Sequence, residues 1–245
     1  MTFFDEEDEV GAVDERTKEY MFPSGNDELD RSIGGGFPYR SLSILVGPQA
    51  SGKTIVVQQL CYGALREGKT VCYITSQQLI EDLFINMRNL SWDVTDYMIE
   101  GKLKVIPVYT QTRSIVESPW LLELLENTIT EQKADVIAID SLAHFARGRD
   151  KKRITSFFVT MKGLCGNGKT ILACIPSHFI QTIDYEYVKA VCTAVMELSM
   201  KEEKENIIRL LKLLKFQTMG EKFQQIIPFE VDPAVGIRIS AIMEA

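Results

Sequence analysis

Gly47-Pro48-Gln49-Ala50-Ser51-Gly52-Lys53-Thr54 is the stretch that decides how this chain is read. It fits G-x-x-x-x-G-K-[ST], the phosphate-binding loop, and both flanks agree with it. Leu42 to Val46 reads as a short buried strand, and Thr54 to Arg66 as a helix with apolar residues at Ile55, Val56, Leu60 and Ala64. Glycines let backbone N–H groups curl around phosphate oxygens, while the helix start faces the same anion with its positive end. Lys53 is expected at the β- and γ-phosphates and the Thr54 hydroxyl at Mg²⁺. The segment from Gly47 through Ile55 therefore predicts a site for a nucleoside triphosphate such as ATP.

Outward from the loop, strand and helix patterns alternate. Strands are expected at 71–75, 103–108, 135–140 and 170–175, and helices at 79–90, 120–132 and 154–164. That order implies right-handed crossovers and a mostly parallel sheet with helices on both faces. Residues 190–200, 207–216, 225–231 and 236–242 resemble strands joined by short turns, so the α/β sheet is expected to end in an antiparallel extension. Before the loop, Ser24 to Asp27 offers caps to a short helix through Ile33, which Gly34-Gly35-Gly36-Phe37-Pro38 then breaks.

Asp140 closes the apolar run Val136 to Ile139 and is expected to hold the magnesium shell, through water, from a strand beside the loop strand. Ser141, not a glutamate, follows it. The metal set is thus Thr54 and Asp140.

Composition bounds the rest. The 245 residues suffice for a single domain over 21–245, and no run of eighteen apolar residues exists. Residues 1–20 carry eight acids and two bases, so the other 225 hold a net charge near −1 of the total −7. Such a head is expected to be a solvated, disordered tail, and the near-neutral body is unlike a dedicated nucleic-acid binder. Five cysteines without a C-x-x-C predict buried thiols in a reducing cytoplasm, with no zinc site. Arg147-Gly148-Arg149-Asp150-Lys151-Lys152-Arg153 is expected to be a solvated helix start, the alternative being a docking surface for nucleic acid or an acidic partner. Trp92 and Trp120 are expected to pack rather than to stack bases.

The run from Ser24 to Thr54, with Leu29-Asp30, Gly34 to Pro38 and Ser41-Leu42, resembles the RecA-type ATPases that include KaiC. Within them it is similar to the FlaH (ArlH) group of archaellum ATP-binding proteins. Ser24 to Arg31, Asp93 to Tyr97, Ile139 to Leu142 and Phe229 to Ile237 carry that likeness. The resemblance implies a RecA-like P-loop fold and a cytoplasmic protein held at the inner face of the membrane by partners. Those implied partners are a motor ATPase and a membrane platform protein, with a homo-oligomeric ring as a further possibility and no nucleic acid.

Two departures from the family pattern bear on turnover. Where relatives carry water-activating carboxylates, this chain has Gln77 and Gln78, and an amide cannot accept a proton from water at neutral pH. Where KaiC relatives carry Lys-x-Arg against a neighbour's γ-phosphate, it has Lys215-Phe216-Gln217, keeping the lysine and losing the arginine. Glu81 and Asp82 are expected to sit on the next helix and not to substitute. His178 could face phosphate, but is expected to be a loop histidine without a ligand. A lost general base costs ~10²–10⁴ in rate and a lost arginine finger ~10³–10⁵, so hydrolysis is expected at or below ~0.1 s⁻¹. The expected function is an ATP-binding switch or scaffold. The alternative is a KaiC- or RadA-like working ATPase, acting on DNA in the second case.

Overall fold

The structure is a computed structural model that describes residues 20–108, 120–203, 206–216 and 223–240. The acidic head, Gln217 and the end of the run expected through Ile242 lie outside the described residues. In chain order the strands are β1 Met21–Phe22, β2 Phe37–Pro38, β3 Leu42–Gly47, β4 Val71–Thr75, β5 Leu103–Pro107, β6 Val136–Asp140, β7 Thr170–Pro176, β8 Ala194–Glu203, β9 Asn206–Phe216, β10 Ile226–Asp232 and β11 Gly236–Ile239. The helices are α1 Asp27–Ser32, α2 Lys53–Arg66, α3 Ile80–Asn89, α4 Thr95–Ile99, α5 Leu121–Glu131, α6 Leu142–Phe145, α7 Lys151–Gly166 and α8 Tyr185–Val191.

Among the described residues, nine strands form one sheet in the order β11-β10-β9-β8-β3-β7-β6-β4-β5, and β1 and β2 pair separately. From β5 to β8 every pairing is parallel, and β8, β9, β10 and β11 continue antiparallel, as the sequence predicts. One expectation fails in detail. The Asp140 strand does not lie beside the loop strand, because β7 hydrogen-bonds both and sits between them. Strand order is set by long-range pairing, which a local apolar run does not encode.

The central strands β3, β4, β6 and β7 are buried on both faces, and strand alternation sorts their side chains between two cores. Leu45, Tyr73, Ala138 and Cys174 face one core, with Val57, Leu60 and Ala64 of α2. Ile44, Ile74, Ile139 and Ala173 face the other, with Leu122 and Leu125 of α5 and Phe157 and Phe158 of α7. By the same alternation, Asp140 continues the Val136–Ala138 side and so faces α2. This period of two places an acid from β6 against the helix that starts at Lys53.

Several boundaries move, two of them because a side chain caps a helix. The strand expected from Ala190 begins at Ala194, because Tyr185–Val191 forms α8, capped by the Asp184 side chain on the Tyr187 N–H (3.3 Å). The helix expected from Ile154 begins at Lys151, because the Asp150 side chain accepts from the Arg153 N–H at 2.7 Å. Trp92 packs as expected, 3% exposed and stacked on Tyr62 at 6.2 Å, but Trp120 is 48% exposed at the start of α5. All five cysteines are buried and free. Among the described residues, no helix is long and apolar enough to cross a membrane.

Candidate nucleotide site

The parallel strands β3, β4, β6 and β7 end on the same edge of the sheet, which is where open α/β sheets bind ligands. There a cleft of about 580 Å³ is lined by Gln49, Ala50, Gly52, Lys53, Thr54, Ile55, Gln77, Pro176 and His178. Its wall is the loop between β3 and α2. Ala50 (φ 62°) and Gly52 (φ 96°) turn the chain through the left-handed region, and α2 starts at Lys53. Gly52 also has a packing duty. The Arg209 side chain of β9 and the Phe229 ring of β10 lie across it, so a Cβ there would stand 3.1 Å from Arg209 Cδ. Gly47, Pro48 and Ser51 complete the loop, and the Ser51 N–H donates to the Pro48 carbonyl at 3.4 Å.

Lys53 is buried (8% exposed), and its ammonium donates to the carbonyls of Gly47 (2.9 Å) and Pro48 (2.6 Å). Burial lowers its pKa, opposed by the charge of Asp140. The Thr54 hydroxyl donates to Asp140 Oδ2 at 2.8 Å, so the two residues assigned to the metal from sequence are in direct contact. The Tyr73 hydroxyl reaches the same oxygen at 3.0 Å. An alcohol beside an anionic carboxylate is the hard-oxygen donor pair that suits Mg²⁺. Thr54 and Asp140 therefore fit that ion, which would supply charge to polyphosphate oxygens.

The opposite wall is made by the ends of β4 and β7. Of the two glutamines at the carboxylate positions, Gln77 lines the cleft. Gln78 is half-buried, and its Oε1 has no hydrogen-bond partner. The backbone N–H groups of both donate to Thr75 Oγ1, at 3.2 and 3.3 Å, which fixes the turn after β4. Glu81 and Asp82 are exposed on α3 and do not line the cleft, as expected. His178 lines it, where it could face phosphate. It follows Pro176 on a 3₁₀ turn, Ser177–Thr182, that carries the chain away from β7.

Lys215 sits elsewhere. Its ammonium donates to the carbonyls of Lys189 (3.1 Å) and Ala190 (2.9 Å) at the end of α8. In the basic cluster, Lys151 and Lys152 are exposed in the first turn of α7, whereas Arg149 and Arg153 are half-buried and Arg153 pairs with Glu126, so the helix start expected is solvated only in part.

Sequence reasoning missed Tyr73 and Arg209. Tyr73 sits in an apolar strand and reads as core, and Arg209 reads as one outward residue of β9. Neither has a local signal, because each reaches the site through strand register.

The family model described as the KaiC ATPase matches residues 22–244. The chain is 31% identical over 227 residues to the archaeal flagellar ATP-binding protein FlaH of Sulfolobus acidocaldarius, covering 89% of this chain and 96% of that protein. The crystal structure of the flagellar accessory protein FlaH from Methanocaldococcus jannaschii superposes with a TM-score of 0.78 at 24% identity, covering 88% and 96% of the two chains. A KaiC-like protein of Pyrococcus horikoshii follows at 0.70 and 22% identity, covering 90% and 99%.

Proposed function

This chain belongs to the KaiC ATPase family, and on that premise we propose that it binds Mg-ATP as a switch component of an archaellum-type motor assembly and hydrolyses it slowly or not at all. One observation carries the reading. The groups that would hold a nucleotide stand together, with Lys53 in the cleft and Thr54 on Asp140 at 2.8 Å, while the residue across from them after β4 is the amide Gln77. Positioning and ground-state charge favour binding over turnover when no group takes the proton of the attacking water.

The likeness to the flagellar ATP-binding protein of Sulfolobus acidocaldarius supports the motor context. In this reading the nucleotide state controls docking to a motor ATPase and a membrane platform protein. The chain then works at the cytoplasmic face of the membrane through those partners.

The deciding experiment measures binding and turnover on one preparation. Mg-ATP at a hundred times its dissociation constant should stabilise the fold by ~2.7 kcal/mol. Phosphate release should be slower than about one per ten seconds. No thermal shift at millimolar ATP would end the nucleotide reading. Several turnovers per second, abolished by Lys53→Ala, would end the switch reading and favour a working ATPase.

A further inference from the structure

We propose that Tyr73 is a positioning residue that holds the Asp140 carboxylate in place for the metal of the nucleotide site. The inference deepens the reading of this cleft as an Mg-ATP site and rests on it.

β4 pairs β6 with Thr75 opposite Asp140 and Tyr73 opposite Ala138, so Tyr73 lies one same-face step behind Asp140 on the neighbouring strand. On the other side, β6 and β7 align Ile139 with Ala173, which puts Cys174 level with Asp140. Tyr73 and Cys174 both belong to the core under α2. The carboxylate therefore rises between a phenol and a thiol on the face where Thr54 opens the helix.

The Tyr73 hydroxyl is 3.0 Å from Asp140 Oδ2, and the Thr54 hydroxyl is 2.8 Å from the same atom. Two donors from different elements converging on one oxygen restrain the carboxylate's rotation, which either alone would leave looser. Two backbone and side-chain bonds latch the strand ends together just beyond. The Ser76 N–H donates to the Asp140 carbonyl at 2.9 Å, and the Ser141 N–H to Ser76 Oγ at 3.3 Å.

A packing role alone does not ask for this hydroxyl. Tyr73 is 2% exposed among apolar neighbours, where phenylalanine fills the same space without a polar atom to satisfy. The hydroxyl's partner is the one carboxylate that the site needs. Groups that orient a metal's ligands typically change metal affinity 10–100-fold when removed.

The test follows a fluorescent ATP analogue as MgCl₂ is added, on wild type, Tyr73→Phe and Tyr73→Met. Both substitutions remove the hydroxyl, so a folding failure in one leaves the other to report. Expected is a rise of about tenfold in the Mg²⁺ concentration that half-saturates the gain in affinity. Affinity in EDTA should stay close to wild type, and the ligand-free Tyr73→Phe protein should melt lower by only several degrees, the loss of one bond to a buried carboxylate. A Mg²⁺ curve that superimposes on wild type overturns the proposal, as does an equal loss with and without Mg²⁺. Wild type that binds the analogue with no response to Mg²⁺ overturns it too, while leaving the nucleotide reading standing. Wild type that does not bind the analogue at all overturns both.

Discussion

The two walls of the cleft differ in kind. The loop wall carries the groups that the proposed nucleotide would need, a buried lysine, a hydroxyl on a carboxylate, and a helix start at the cavity. The facing wall offers an amide, Gln77, and a histidine, His178, and among the described residues no carboxylate lines it. In the proposed reading one wall serves affinity and the other would serve rate, and a fold can keep the first without the second. The contrast teaches that a P-loop match speaks to occupancy, and that turnover has to be read from the strand end opposite.

The largest expected effect lies on the loop wall. Lys53→Ala should weaken ATP binding about a hundredfold or more, since bonds from a charged donor are worth ~1.5–3 kcal/mol each. Isothermal titration on the folded variant checks this. Affinity within threefold of wild type would mean that the loop wall does not hold the phosphates, and the contrast between the walls would collapse.

A second effect concerns the brace behind that wall. The Asp30 carboxylate accepts from the Ser24 N–H at 2.7 Å, and the Ser24 carbonyl accepts from Gln59 Nε2 on α2 at 2.9 Å. Burial raises the Asp30 pKa to about 6, against the lowering effect of the Ser24 hydrogen bond. A carboxylate raised in the folded state binds its proton more tightly there than when unfolded. Its contribution to stability is therefore full below about pH 4 and is lost as the pH rises through about 6. Asp30→Asn keeps an acceptor for Ser24 and removes the titration. Denaturant melts should show wild type losing up to about 3 kcal/mol relative to the variant between pH 4 and 7. Parallel curves would show that Asp30 ionises normally. ATP affinity at pH 7 should not follow the change, which separates bracing the wall from holding the ligand.

A smaller effect is expected across the cleft. Gln77→Glu should raise phosphate release about tenfold, short of the ~10²–10⁴ of a fully placed base. Gln78→Glu should do less, because Gln77 is the one that lines the cleft. If Gln78→Glu alone accelerates release, the two glutamines have been assigned to the wrong roles and the facing wall must be redrawn.

How much of this was legible follows from where each signal resides. Gly47 to Thr54, the strand before it and the helix after it are local patterns, and the structure places them as read. Asp140 was legible as the polar end of an apolar run, but its contact with Thr54 depends on β7 entering between β6 and β3, which no local pattern encodes. Tyr73 was invisible for the same reason. The strand expected from Ala190 starts only at Ala194, because the Asp184 cap starts a helix at Tyr185 that runs to Val191. The run Val231-Asp232-Pro233-Ala234-Val235-Gly236-Ile237 stood out by resemblance, and its physical reason is tertiary. Gly236 (φ 80°) packs directly on the Trp92 ring where a Cβ would collide, Ser91 Oγ donates to the Pro233 carbonyl at 2.9 Å, and Asn26 Nδ2 donates to the Ile237 carbonyl.

Lys215 belongs to neither wall, and its test is the finest cut of the comparison. It stands opposite Val195, which stands beside Ile44, three residues short of Gly47 along β3. At about 3.3 Å per residue that is roughly 10 Å back from the loop. Its ammonium is already engaged by two carbonyls at the end of α8, where the helix dipole also favours a cation. Within one chain Lys215 therefore secures a helix end. Lys215→Met should cost about 1 kcal/mol of stability, seen as a fall of ~2–4 °C in melting temperature, with ATP affinity unchanged at low protein concentration. Repeating the titration at high protein concentration gives the family's implied role its chance. A loss of affinity that appears only there would mean that Lys215 leaves α8 to serve the cleft of a second copy. A loss already present at low concentration would place Lys215 on the chain's own site, against the register of β8 and β9.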